Sequence, residues 1–274
     1  MQTTSHQVRC EGKKIGFVPT MGFLHNGHLS LIKKSLALCD VTVVSIYVNP
    51  TQFAPGDDLD KYPRDLERDK QLLINLGVDI LFLPSNKEIY PDDYQTYVNV
   101  NDLTRLFEGE FRPTHFLGVT TIVTILFHSV NPHLAFFGQK DAQQAQIIKQ
   151  MVKDLKFGID VIVCPVIRDP DGLALSSRNV YLSDSERRDA LILYKSLNLA
   201  EELINKGERN VNTILIMMKE LINSVASSKL DYVNIVETDK FEVVTKLESG
   251  KSYYILIACK IGSTRLIDNT LVEV

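Results

Sequence analysis

The chain has only four cysteines in 274 residues, Cys10, Cys39, Cys164 and Cys259, and no two of them form a CxxC pair. That excludes zinc-ribbon and dithiol redox motifs and fits reduced thiols. An excess of basic residues is lacking as well: 30 Lys and Arg stand against 34 Asp and Glu, a formal net charge of -4. A protein whose main partner is a nucleic-acid backbone presents a large cationic surface, so that class is set aside. No run of ~18 apolar residues is available for a membrane span, and the opening MQTTSHQVRCEGKK has no apolar stretch of signal-peptide length. The reading is a cytoplasmic protein with no membrane segment. Internal repeats and low-complexity tracts are missing too. What is there is an ordinary globular composition, 45% hydrophobic and 23% charged, in a length that suits one large and one smaller domain.

From Ile15 to Cys164 short apolar runs alternate with longer amphipathic ones, the pattern of βα units feeding a parallel sheet. IGFVPT, VTVVSIYV, DILFLP, HLAFFG and IDVIVC read as strands. HLSLIKKSLALC, residues 63–76, HFLGVTTIVTILFHSV and DAQQAQIIKQMVKDL read as helices, the second with Pro63 in its first turn and Gly77 as its stop. Sheets of this kind bind ligands beyond the carboxyl ends of their strands, so the loops after IGFVPT, VTVVSIYV and HLAFFG are expected to converge on one pocket. The turn DPDG at 169–172 ends this pattern. Beyond it, Ser183 and Glu186 form a capping box for a helix to about Lys206, and a second helix follows near 211–226. DYVNIVET, SYYILIACK and STRLIDNT then read as antiparallel strands. The expected fold class is α/β: a Rossmann-like doubly wound parallel sheet over residues 1–175, with a smaller C-terminal α+β domain over 176–274.

Four segments have the residue types for chemistry. PTMGFLHNGH, residues 19–28, joins the first strand to a helix, and free N–H groups at a helix N-terminus suit a phosphate, with His25 and His28 as further donors. The blander alternative is one histidine capping the helix and the other lying on the surface. In VNPTQF, Asn49 and Gln52 follow the second strand and offer neutral amides for hydroxyl or carboxylate groups, or else form a plain Asn-Pro turn. In FFGQKDAQQ, Lys140 is placed to meet phosphate and Gln144, one turn along, faces the same way, although a lysine there is often only solvated. In GLALSSRN, Ser176, Ser177 and Arg178 make a cradle for β and γ phosphates, or an ordinary loop.

The stretches VPTMGFLHNGH, SIYVNPTQFAPGDDLDKYPRD, FEGEFRPTHFLGV, AFFGQKDAQQ and DGLALSSRNVYLS resemble the pantothenate synthetase family of the HxGH nucleotidyltransferases, in order and with close spacing. The resemblance implies an ATP-dependent ligase that joins pantoate to β-alanine through a pantoyl adenylate, releasing pyrophosphate and AMP. It implies that Met21, Gly22, Phe23, Leu24, His25, Asn26, Gly27 and His28 surround ATP, with His28 as proton donor. Gly138, Gln139, Lys140, Asp141, Ile167, Leu175, Ser176, Ser177 and Arg178 are assigned to ATP in the same way, Gln52 to pantoate with β-alanine as a second candidate, and Gln144 to pantoate. It further implies magnesium accompanying the triphosphate, a C-terminal domain that closes over the ATP site, and a homodimer.

Several positions depart from the family pattern. Ile125 stands where lysine is common, His128 where asparagine is common, and Thr114 replaces a frequent glycine. Phe23 and Asn26 are larger or less acidic than usual. Altered packing or nucleotide affinity is the expected consequence, since the HxGH histidines are intact. Two other readings stand beside the ligase: another HxGH nucleotidyltransferase, which should have extra arginines for a second phosphate, and a catalytically silent nucleotide-binding module.

Overall fold

A strand buried on both faces needs apolar residues at nearly every position, and IGFVPT, VTVVSI and LAFFG meet that requirement. The computed structural model describes residues 1–54 and 58–274; Pro55, Gly56 and Asp57, inside one of the stretches that resemble the family, lie outside the described residues. Two compact units result, residues 1–139 with 143–165 and residues 140–142 with 166–274. The chain passes into the second unit at 165/166 rather than 175/176, because Arg168 bonds to Asp268 and the Asn269 carbonyl on a strand of the second unit and Leu173 packs in that unit's core.

The first unit contains α1 (Gln2–Cys10), β1 (Ile15–Thr20), α2 (Asn26–Leu38), β2 (Val41–Ile46), α3 (Leu66–Leu76), β3 (Ile80–Phe82), α4 (Asn86–Ile89), α5 (Glu108–Phe111), α6 (His115–Val130), β4 (Leu134–Gly138), α7 (Ala142–Leu155) and β5 (Asp160–Cys164). The sheet is parallel with strand order β3-β2-β1-β4-β5, which confirms the doubly wound expectation. Alternate residues serve opposite faces. Ile15, Phe17, Val43 and Phe137 pack with α6 and α7, while Val18, Val44 and Phe136 pack with α2 and α3. The order of strands reverses between β1 and β4, so a crevice lies outside their carboxyl ends.

Local chemistry shifts some boundaries. α3 starts at Leu66 rather than at Pro63, because the Asp65 side chain accepts the Arg68 N–H and caps the helix there. Gly77 ends it at φ 76°, in the left-handed region. α1 and the short α4 and α5 were not foreseen.

The second unit contains α8 (Asp184–Asp189), α9 (Leu191–Asn205), α10 (Val211–Asn223), β6 (Ser228–Glu237), β7 (Ser252–Ile261) and β8 (Thr264–Glu273). The Ser183/Glu186 capping box is present, but the helix it opens breaks at Ala190 instead of running on to Lys206. The three strands are antiparallel in the order β6-β7-β8. Leu193, Leu197, Ala200 and Ile204 of α9, and Val211, Ile214, Met218 and Ile222 of α10, recur every three or four residues and cover one sheet face. No helix among the described residues is long and apolar enough to cross a membrane.

Candidate functional site

In the first unit the turn after β1 is set by its own backbone. Gly22 and Phe23 both have positive φ, 82° and 50°, and the buried Asp69 of α3 accepts the N–H groups of Phe23 and Leu24 at 2.7 and 2.8 Å. Arg68 adds a hydrogen bond to the Leu24 carbonyl at 3.0 Å and lies 5.3 Å from the centre of the Phe23 ring. The turn delivers the chain to the N-terminus of α2, where His25 and His28 make a reciprocal capping box. Gly27 N–H donates to His25 Nδ1 at 3.1 Å, and His25 N–H donates to His28 Nδ1 at 3.3 Å. An Nδ1 that accepts an N–H places the ring proton of the neutral imidazole on Nε2. The rings lie 4.0 Å apart. Both histidines cap the helix, where the blander reading of the sequence has one capping it and the other on the surface.

Gln52 ends a turn of 3-10 helix, Pro50–Gln52, that follows β2. It is 9% exposed, and its Nε2 faces Met21 Sδ at 2.7 Å, so the loops after β1 and β2 meet. Its backbone carbonyl accepts from His115 Nδ1 at 3.0 Å and Arg112 at 3.3 Å. Asn49 is 1% exposed and its amide faces protein groups: Nδ2 donates to Gly118 O at 3.1 Å and to Gln52 Oε1 at 3.3 Å. Oδ1 accepts from Thr51 Oγ1 at 3.0 Å and Tyr90 Oη at 2.9 Å. Burial raises the Tyr90 phenol above its ordinary value, so it stays a donor further into the alkaline range than a free phenol does.

Gly138 closes β4 with open space where a side chain would stand, and Gln144, on α7, is half-buried. Its neighbour Gln143 is the buried one, holding the carbonyls of Leu103 and Leu106 and the N–H of Glu108. A cavity of about 330 Å³ opens beside the first turn, lined by Met21, Gly22, Phe23, Tyr47, Asp69 and other residues.

The second unit holds the remaining candidates. Lys140 is largely buried, 3.9 Å from the Asp141 carboxylate, and Asn269 Nδ2 donates to its carbonyl at 2.9 Å. Ile167 O accepts from Leu175 N, closing a hairpin around the 169–172 turn. Ser176 then caps a short 3-10 turn, Ser177–Tyr181, by accepting the Arg178 N–H at 3.3 Å. Ser177 is buried.

The departures from the family pattern fit the fold. Ile125 packs into the α6 side of the core, and Thr114 precedes α6 at φ -95°, a conformation that needs no glycine. His128 packs beside Phe157. Asp69, Gly118 and Tyr90 were missed in the sequence. Asp69 lies one helical turn before the buried Leu73, on the inward stripe of α3, and a carboxylate in that place is the signal that was available.

A family model described as pantoate-beta-alanine ligase matches residues 1–271. A pantothenate synthetase of Caldicellulosiruptor saccharolyticus is 53% identical over the whole chain and 97% of its own length. One of Acetivibrio thermocellus is 55% identical over 96% of the chain and 93% of the relative. Among solved structures, the pantothenate synthetase of Thermus thermophilus superposes with a TM-score of 0.91 at 42% identity, covering 97% of this chain and 96% of that one. The pantoate-beta-alanine ligase of Francisella tularensis, complexed with beta-gamma ATP and beta-alanine, gives 0.77 at 39% identity, covering 98% and 95%.

Proposed function

The chain belongs to the pantoate-beta-alanine ligase family, and from that premise we propose that it condenses pantoate with β-alanine through a pantoyl adenylate. ATP drives the ligation. The observation that carries the mechanism is the reciprocal capping of His25 and His28 at the start of α2, which fixes both rings with the neutral proton on Nε2 beside a helix N-terminus.

In the first step a carboxylate oxygen of pantoate forms a bond to the α-phosphorus of ATP. The bond from that phosphorus to the bridging oxygen breaks, and pyrophosphate leaves with the electron pair. Such a transfer is catalysed by positioning and by stabilising developing negative charge. His28 donates to phosphate oxygens as charge moves onto the leaving group, and His25 supports it. Met21 to Gly27, with Gly138 and Gln139, surround the nucleotide. Lys140, Ser176, Ser177 and Arg178 take the phosphates, with Asp141, Ile167 and Leu175 beside them. In the second step the β-alanine amine attacks the acyl carbon, the carbon–oxygen bond to AMP breaks, and the amine gives up a proton.

Gln52 and Gln144 bind pantoate. As neutral amides they leave its carboxylate nucleophilic, which a clamped arginine would not. Among the described residues no three His, Cys, Asp or Glu side chains gather as a metal cage. Magnesium is assigned to the triphosphate, with waters and at most one or two carboxylates completing its shell, a common arrangement for this ion. We further read the protein as a cytoplasmic homodimer; four unpaired cysteines support a reducing compartment.

The test is exchange of labelled pyrophosphate into ATP with a panel of small acids. Exchange that requires pantoate is expected. Exchange with none of the acids would return the chain to the silent-module reading, and exchange with a phosphorylated substrate would favour another nucleotidyltransferase.

A further inference from the structure

An amide side chain can be turned either way unless a neighbour decides, and for Asn49 one neighbour does. Gly118 O, 3.1 Å from its amide, is a backbone carbonyl and can only accept. The NH2 of Asn49 must therefore face Gly118. The two hydroxyls on its other side, Thr51 Oγ1 and Tyr90 Oη, supply donors to its oxygen and agree with that orientation. The second N–H of the same NH2 points at Gln52, so the atom of Gln52 that meets it at 3.3 Å is an acceptor, Oε1.

The consequence passes to the functional side chain. With Oε1 turned inward, the Gln52 NH2 faces outward, against the Met21 thioether, which also can only accept. Gly118 permits this arrangement a second time by having no side chain. A Cβ there would stand 2.5 Å from Thr51 O and 2.6 Å from Gln52 N, so any larger residue would push the 50–52 turn off α6.

We propose that Gly118 and Asn49 are positioning residues that fix the Gln52 amide with its NH2 outward, one N–H on Met21 Sδ and the other turned to the acid substrate, making this subsite a reader of oxygen lone pairs. The inference rests on the proposed placement of Gln52 at pantoate. It assigns Asn49 no substrate contact; Asn49 acts through Gln52. The site then selects acids whose carboxylate or hydroxyl oxygen meets that N–H, and it rejects groups that present only donors.

Asn49→Asp tests the relay. A carboxylate has no proton for Gly118 O or Gln52 Oε1 but accepts readily, so Gln52 would turn its NH2 inward and present its oxygen to the acid. KM for pantoate should rise about tenfold or more, the scale of a hydrogen bond to a charged group, while KM for ATP stays within about twofold. In a Gln52→Ala background the same change should have almost no further effect on KM for pantoate, since coupled residues are non-additive. Equal factors in both backgrounds, or no factor in either, would overturn the proposal. Gln52→Glu, which keeps Asn49 intact, covers the case in which Asn49→Asp does not fold. Its oxygen can still accept from Asn49, but a carboxylate now faces the acid, and pantoate KM should exceed that of Gln52→Ala. A near-normal KM for Gln52→Glu would equally refute it. Failure of the underlying placement looks different: Gln52→Ala itself would leave the pantoate KM unchanged.

Discussion

Asp69 holds Phe23 in the left-handed region: its carboxylate accepts the Phe23 N–H at 2.7 Å while the same group takes the Leu24 N–H at 2.8 Å, and Phe23 has φ 50°. A side chain other than glycine rarely rests there without support. The support for Phe23 comes from 46 residues further along the chain, on α3, and it sets the path by which β1 reaches the HxGH histidines.

Asp69→Asn should therefore damage both stability and the first chemical step. An amide of the same shape accepts only one of the two N–H groups and points a donor at the other. The expected loss is ~1 to 3 kcal/mol in a denaturant midpoint, with a pyrophosphate exchange rate down roughly tenfold. An unchanged midpoint together with an unchanged rate would detach Asp69 from the turn.

Arg168 and Asp268 make a bidentate pair, with contacts of 2.6 and 2.9 Å, and Asp268 is 3% exposed. Burial raises the Asp268 carboxyl above its ordinary range, and Arg168 opposes that rise. Arg168→Met leaves only the Asn269 N–H and the more distant charge of Lys140 to oppose the burial, and should cost ~3 to 5 kcal/mol at neutral pH. In that variant the folded carboxyl is raised above its unfolded value, so its contribution is retained below the unfolded value and lost as pH rises. The variant should recover toward wild type as pH falls from 8 to 5, and Asp268→Asn added to it should flatten that dependence. A deficit that is the same at both pH values would rule out a buried, uncompensated carboxylate charge as the cause.

Burial first, and then the charge of Asp231, pushes the Cys259 thiol from 9.0 up to about 11. Because the folded thiol keeps its proton after the unfolded one has lost it, this group favours the folded state below pH 9 and that advantage drains away between 9 and 11. The full effect is about 2 to 3 kcal/mol. Chemical denaturation at pH 8, 9 and 10 checks it: the alkaline fall in midpoint should be shallower in Cys259→Ala. Alkylation at pH 8 should reach exposed Cys10 in the native protein and Cys259 only after unfolding.

Much of this fold can be read in the sequence because a parallel sheet covered on both sides writes itself as apolar runs, and β1, β2, β4 and β5 lie where those runs do. α1 escapes because QTTSHQVRC buries only Ser5 and has no apolar stripe. α4 and α5 are single turns, too short for any period to register. Ala190 interrupts a helix with no Gly or Pro to announce it, since alanine is a strong helix former. The site divides in the same way. His25, His28 and Gln52 sit in local motifs beside strand ends, where spacing is informative. Asp69 and Gly118 matter through contacts 45 and 69 residues away in sequence, which no local pattern encodes. Asn49 shows the limit from the other side: its polarity was legible, but its burial, which turns its amide toward Gln52, was not.

His28→Ala separates the two duties of that ring. Nδ1 accepts the His25 N–H at 3.3 Å, and losing a helix cap of this kind costs about 1 kcal/mol, so a modest fall in midpoint is expected. The Nε2 proton is assigned to the phosphate oxygens, in a contact stronger in the transition state than in bound ATP, so the rate loss should appear in kcat. Removing one preorganised donor typically costs ~100- to 1000-fold, far more than a slightly weakened cap would produce. Single-turnover formation of pantoyl adenylate, followed beside the denaturant midpoint, distinguishes them. His28→Asn sharpens the comparison, because its side-chain oxygen can still accept the His25 N–H while its amide nitrogen does not reach as far as Nε2. It should restore the midpoint and leave the rate low. If the rate recovers together with the midpoint, His28 serves only as a cap and the proton-donor role is wrong.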